Sequence, residues 1–229
     1  MSSRESILNK LRAARQPFPD APPRPTVYRP VIALDDPTPD ALLARFSAEV
    51  ERLLGQVFVV KGDAAARKKI LQLLSEQHHA EHILAWDFAH IPVKGLREAL
   101  EKAGIRITVP AMHDEFRAET IEAIREVPVG LTGVDAAAAA TGTLIVSTAP
   151  GKGRLPTILP PVHIAVLTLD QLVPHLEAWL ARERANDSPT LRDPANVALI
   201  TGPSRTGDIE MIMVKGVHGP GILQIIVKR

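Results

Sequence analysis

One feature constrains this sequence more than any other: an alternation between about residues 40 and 132. Stretches with apolar residues at helical spacing take turns with short runs of continuous apolar or β-branched residues. A helix from Asp40 to Leu54, stopped by Gly55, precedes a strand Gln56-Val57-Phe58-Val59-Val60; a helix from Asp63 to His78 precedes a strand from His82 to Trp86. A helix from Gly95 to Ala103, stopped by Gly104, leads into Ile105–Val109, and one from Asp114 to Glu126 leads into Val127–Thr132. Strands that are apolar on both faces must be covered on both faces, and strands separated by helices are joined by crossovers. The expectation is an α/β, three-layer sandwich with a mostly parallel sheet.

The second half keeps the strands and changes their connections. Thr143–Ser147 and His163–Leu167 read as strands separated only by a Gly/Pro-rich loop, so they are expected to pair antiparallel or to cross over without a helix. The alanine run 136–140 reads as a turn or two of helix, and a long helix-compatible stretch runs from Leu169 to Arg184. A strand Val197–Ile200, a helix from Gly207 to Val214 and a final strand from Ile222 to Val227 complete the reading. Ahead of the body, residues 1–39 form an N-terminal helix followed by a proline-rich arm, with eight prolines between Pro17 and Pro39 that forbid helix there. The α/β domain is placed at 40–229.

Composition limits the chemistry. The chain has 27 Lys and Arg against 26 Asp and Glu, a net charge of +1 that gives no broad field for nucleic acid or an anionic membrane, so any anion site must be local. With no cysteine it has no disulfide, no thiolate zinc site and no thiolate-held iron–sulfur cluster of its own. No cofactor is expected in this chain. Nor is a signal core or membrane span legible, and the expected location is cytoplasmic.

Three stretches could carry chemistry. In Ser147-Thr148-Ala149-Pro150-Gly151-Lys152-Gly153-Arg154, two glycines let backbone N–H groups converge while Lys152 and Arg154 add charge, which suits a phosphate or carboxylate; the spacing is not that of a Walker loop. A surface loop with incidental basic residues reads equally well. In Thr201-Gly202-Pro203-Ser204-Arg205-Thr206-Gly207-Asp208-Ile209-Glu210, a small-residue loop leaves a strand: Gly202 turns, Arg205 forks onto a carboxylate and the hydroxyls of Ser204 and Thr206 assist. Thr206 or Asp208 also reads as a plain helix cap. Thr132, Thr141 and Thr143, clustered with Asp135, could line a polar pocket floor, or simply form a turn into a strand. Among the histidines, His78, His79 and His82 lack metal-ligand spacing, and His90 and His113 stand alone in loops. His163 after Pro160-Pro161 and His218 within Gly216-Val217-His218-Gly219-Pro220 are the candidate acid–base groups, with a hydrogen-bonded structural role as the alternative.

Taken in order, Gly130-Leu131-Thr132-Gly133-Val134-Asp135, Thr141-Gly142-Thr143-Leu144, the Pro150–Arg154 loop, Leu159-Pro160-Pro161-Val162-His163-Ile164 and Thr201–Glu210 followed by Gly216–Pro220 resemble the LUD-domain family, in its lactate-utilisation branch. The resemblance implies a fold similar to the sugar-phosphate isomerase and CoA-transferase group. It also implies a part in oxidising L-lactate to pyruvate with two partner proteins, one carrying iron–sulfur clusters. Ala140 stands where members often have an acidic residue, so no carboxylate role is assigned there.

Three readings of function follow. In the first, the chain is a subunit of the lactate-oxidising system in which Thr132, Thr141, Thr143, Gly151, Lys152, Gly153, Arg154, Gly202, Ser204, Arg205 and Thr206 hold a small anion and His163, His218 or Glu210 moves a proton. In the second it is a non-catalytic scaffold of that complex. In the third it is a stand-alone isomerase- or transferase-like enzyme for a phosphate ligand.

Overall fold

The computed structural model describes residues 3–14, 32, 34, 36–110, 117–187, 189–207 and 213–229. The expected alternation is present. After α1 (Ser3–Ala13) come α2 (Pro39–Arg52), β1 (Gln56–Val60), α3 (Gly62–Gln72), a π-helical turn (Leu73–Gln77), β2 (His82–Ala85), α4 (Leu96–Lys102), β3 (Arg106–Thr108), α5 (Arg117–Ile124) and β4 (Val129–Thr132). Then follow β5 (Ala136–Ala138), β6 (Thr143–Ser147), α6 (Leu155–Ile158), β7 (Val162–Thr168), β8 (Leu172–Val173), α7 (Leu176–Ala185), α8 (Pro189–Arg192), β9 (Val197–Thr201), β10 (Arg205–Gly207), β11 (Met213–Lys215) and β12 (Ile222–Lys228).

The main sheet has six strands in the order β1-β12-β7-β4-β2-β3, every pairing parallel. Its two faces can be read from one strand. Ile83 and Ala85 of β2 join the large core with Phe46 of α2, Ile70 of α3 and Leu96 of α4, whereas Leu84 between them packs with Ile124 of α5 and with Leu155 and Leu159 at α6. Helices therefore cover both faces, and the two faces together make the α/β sandwich that the apolar strands demand. Gly130 sits where α6 crosses β4: a Cβ there would lie 1.8 Å from the Pro156 carbonyl oxygen, so only glycine allows this approach.

A second, four-stranded sheet, β8-β5-β6-β9, accounts for the departures from the sequence reading. Residues 136–138 are strand, not helix. Ala137, Ala139 and Leu144 face the large core, while Ala136, Ala138 and Ile145 face Trp179 of α7, and this two-sided burial outweighs an alanine preference worth well under ~1 kcal/mol per residue. The strands β6 and β7 neither pair nor form a simple crossover, because the connection between them, which contains α6, carries the chain from one sheet to the other. The expected helix from Leu169 is cut short: Leu172–Val173 pairs with β5, Pro174 follows, and α7 starts only at Leu176. The helix expected over Gly207–Val214 is also overturned at both ends, since Arg205–Gly207 pairs antiparallel with Met213–Lys215; the β-branched register partners Thr206 and Val214 favour that ladder. Glu210 and His113 lie outside the described residues, as does most of the proline-rich arm. Among the described residues, no helix is long and apolar enough to cross a membrane.

Candidate functional site

The loop Ser147–Arg154 is held down by its own contacts. Gly151 O accepts from Asp87 N at 2.8 Å, Gly153 O accepts from Trp86 Nε1 at 2.8 Å, and Gly151 takes a φ of 74°, with its would-be Cβ only 2.8 Å from the Asp87 side chain. Lys152 is 8% exposed, and its ammonium lies 2.5 Å from Asp135 Oδ1, 3.2 Å from Ser147 Oγ and 5.0 Å from the centre of the Trp86 ring. Asp135 Oδ2 accepts from both N and Oγ of Ser147, at 2.6 and 2.8 Å. The cation read from the sequence as a ligand holder is thus already neutralised inside the protein by a carboxylate seventeen positions earlier, a pairing that local sequence does not signal. Arg154 is exposed at the start of α6, and the cavity it shares with Lys152 holds only about 10 Å³.

The second loop builds a larger space. A cavity of about 240 Å³ is lined by Thr157 and Ile158 of α6, His163 of β7, the β9 end from Leu199 through Ser204, His218, Gly219, Pro220 and Leu223. The turn at 202–204 is fixed to the turn at 216–220 by Ser204 N donating to Pro220 O at 2.8 Å and Gly216 N donating to Ser204 O at 3.0 Å. Gly202, at φ 79°, lets this turn pass against α2; its would-be Cβ lies 3.0 Å from Leu53 Cβ and 3.3 Å from the Arg205 guanidinium, so Arg205 packs over Gly202 without itself lining the cavity. Thr201 at the same edge is tied through Thr143 Oγ1 (2.9 Å) to Thr141 Oγ1 (2.7 Å), so these hydroxyls form one chain. The cavity opens at the amino ends of β7 and β12, not at the carboxyl ends that parallel-sheet precedent suggests.

Of the expected residues, the structure brings His163, His218, Gly202 and Ser204 together in one wall, with Arg205 adjoining and Thr141 and Thr143 reaching it through Thr201. Thr206, in β10, follows Arg205 but does not line the cavity. Gly151, Lys152, Gly153 and Arg154 belong to the other loop; Thr157 borders both spaces. The contribution of Thr157 was not legible in the sequence, since it arrives on a one-turn helix hidden inside a Gly/Pro-rich stretch. Among the described residues no three His, Asp or Glu side chains gather as metal ligands.

His163 is 1% exposed. Its Nε2 is 2.8 Å from Oγ1 of Thr132 on the neighbouring strand, while its Nδ1 is buried with no hydrogen-bond partner. Burial pushes the imidazole down to about 4, so it is neutral at physiological pH and acts as a fixed hydrogen-bonding group. The unfolded chain takes up this proton below about pH 6.5 and the folded chain only below about 4, so stability falls as pH drops through that window, by roughly 3 kcal/mol in all. His163→Gln is expected to flatten the acid limb of the Tm-against-pH curve between those values; an unchanged slope would show that His163 already titrates freely in the folded state.

Residues 43–227 match the LUD domain, and the chain belongs to that family. Lactate utilization protein C of Exiguobacterium sp. is 29% identical over 227 residues, covering 96% of this chain and 93% of that protein. Its namesake from Geobacillus sp. is 30% identical over 183 residues, or 79% and 75% of the two chains. Among solved structures, a DUF162 family protein from Deinococcus radiodurans is similar with a TM-score of 0.58 at 21% identity, covering 84% of this chain and 99% of that one, a likeness of fold.

Proposed function

We propose that this chain is a subunit of a cytoplasmic system that oxidises L-lactate to pyruvate, and that the His163 cavity holds the small carboxylate. The observation that carries the reading is the near full-length similarity to proteins named lactate utilization protein C. The cavity, about 240 Å³ and lined by apolar side chains with three hydroxyls and two histidines among them, suits a three-carbon hydroxy acid better than a large cofactor. In this scheme Arg205 and Ser204 take the carboxylate, and the unpartnered Nδ1 of neutral His163 meets the C2 oxygen. His218 receives the hydroxyl proton. Lactate gives up two electrons and two protons in becoming pyruvate. The family resemblance implies two partner proteins, one with iron–sulfur clusters, and a redox partner of that kind would take the C2 hydrogen's electron pair and proton, since this chain has no cysteine for a thiolate-held cluster of its own. A non-catalytic scaffold is the second reading, favoured by the exposed Ile158, Leu199 and Val217 around the cavity mouth, at 42%, 51% and 52%.

Calorimetric titration of the full chain with L-lactate and pyruvate separates the two readings. Binding that weakens about tenfold or more in Arg205→Ala and in His163→Gln is the expected result. No binding by the chain alone, together with co-purification of a cysteine-rich protein, would leave only the scaffold. Deletion of the gene is expected to abolish growth on L-lactate, and undiminished growth would remove the pathway assignment.

A further inference from the structure

We propose a second small-oxyanion site, separate from the His163 cavity, at the amino ends of β1 and β12. Its centre is Gln224, 1% exposed in β12 and the register partner of Gln56 in β1. The Gln224 amide nitrogen donates both of its hydrogens, to Gln56 Oε1 at 2.8 Å and to Gln77 Oε1 at 2.7 Å. Its carbonyl oxygen accepts from His78 Nε2 at 2.8 Å.

This hub fixes the polarity of everything around it. Because Gln56 and Gln77 both turn their carbonyls inward, each presents its NH2 group outward; because His78 uses Nε2 as a donor, its Nδ1 is left as the acceptor in the neutral ring. The π-helical turn supplies the placement: His78 N bonds to Leu73 O at 3.1 Å, and the extra residue in that turn sets Gln77 and His78 together over Gln224. These groups line a cavity of about 340 Å³ that also receives Lys215 from β11 and has no carboxylate in its wall among the described residues. Two amide NH2 groups and an ammonium form a donor set, which recognises an acceptor-rich anion. The ligand class is therefore a small compound bearing a carboxylate or phosphate group. The 216–220 turn and Leu223 stand between this space and the His163 cavity, and none of the donors is shared.

The test is a titration of the 15N-labelled full chain, in separate arms, with inorganic phosphate and with L-lactate, reading the side-chain NH2 signals of Gln56 and Gln77. Saturable shifts in at least one arm are expected, and the responding arm identifies the anion. Lys215→Met, at an exposed position, should raise the half-saturating concentration about tenfold or more, while His163→Gln, on the opposite face of the sheet from Gln224, should leave it within about twofold. No saturable shift in either arm overturns the site, as does an unchanged titration in Lys215→Met. Loss of the response in His163→Gln would assign the anion to the other cavity instead.

Discussion

An Asp135→Ala chain is expected to lose about 3–5 kcal/mol of folding stability, because it leaves the Lys152 ammonium buried without its counter-charge. In the intact protein Asp135 sits 2.5 Å from that ammonium and also accepts two hydrogen bonds from Ser147. After truncation the ammonium keeps only Ser147 Oγ at 3.2 Å and the Trp86 ring, neither of which carries charge. Lys152→Met should cost less: its stem still packs on Trp86, and the carboxylate left behind is 21% exposed and retains its bonds to Ser147. The double variant Asp135→Ala/Lys152→Met should recover part of the single loss, since no unpaired charge remains. Urea unfolding of the four proteins completes the cycle. A loss below about 1 kcal/mol in Asp135→Ala would mean that Lys152 is solvated and available to an external anion, restoring the role its loop suggests.

The second large effect is steric. Gly130→Ala would place a methyl group 1.8 Å from the Pro156 carbonyl oxygen and 2.8 Å from its carbon, both backbone atoms that no rotamer change can move. Either α6 lifts from β4 or the strand shifts against its neighbours, and the expected cost is about 3 kcal/mol or more, enough to lower soluble yield. Because Thr157 on α6 lines the His163 cavity, ligand binding should weaken along with stability. Gly62→Ala is the control: φ is 73° but nothing lies within 4 Å, so only the backbone strain of about 1 kcal/mol applies. Thermal and urea unfolding that rank the two substitutions alike would show that α6 does not rest on β4 as described.

The contrast between these two positions also explains what the sequence could and could not reveal. The parallel sheet was legible because its strands are apolar on both faces and its helices carry their own stops at Gly55 and Gly104, all local signals. The second sheet was not, because its central strand is a run of alanines whose identity is set by Trp179 on one side and the main core on the other, a long-range fact. Within the candidate site, His163, His218 and Ser204 were legible as polar residues in small-residue corners, and they do converge. What sequence could not supply was the fate of each charge. Lys152 looks like a ligand holder until its distance to Asp135 is known, and Gln224 looks like an ordinary strand residue until three partners are found around it.

The position of β12 bears on how the protein is made. This strand comes last in sequence order but second in space, bonded to β1 on one side and β7 on the other. During synthesis the nascent chain must therefore hold open a slot one strand wide, flanked by two unsatisfied backbone edges, until residues 222–228 leave the ribosome. A polypeptide halted short of that point displays paired adhesive edges rather than a smaller stable fold, making it a natural client for chaperones and a seed for aggregation.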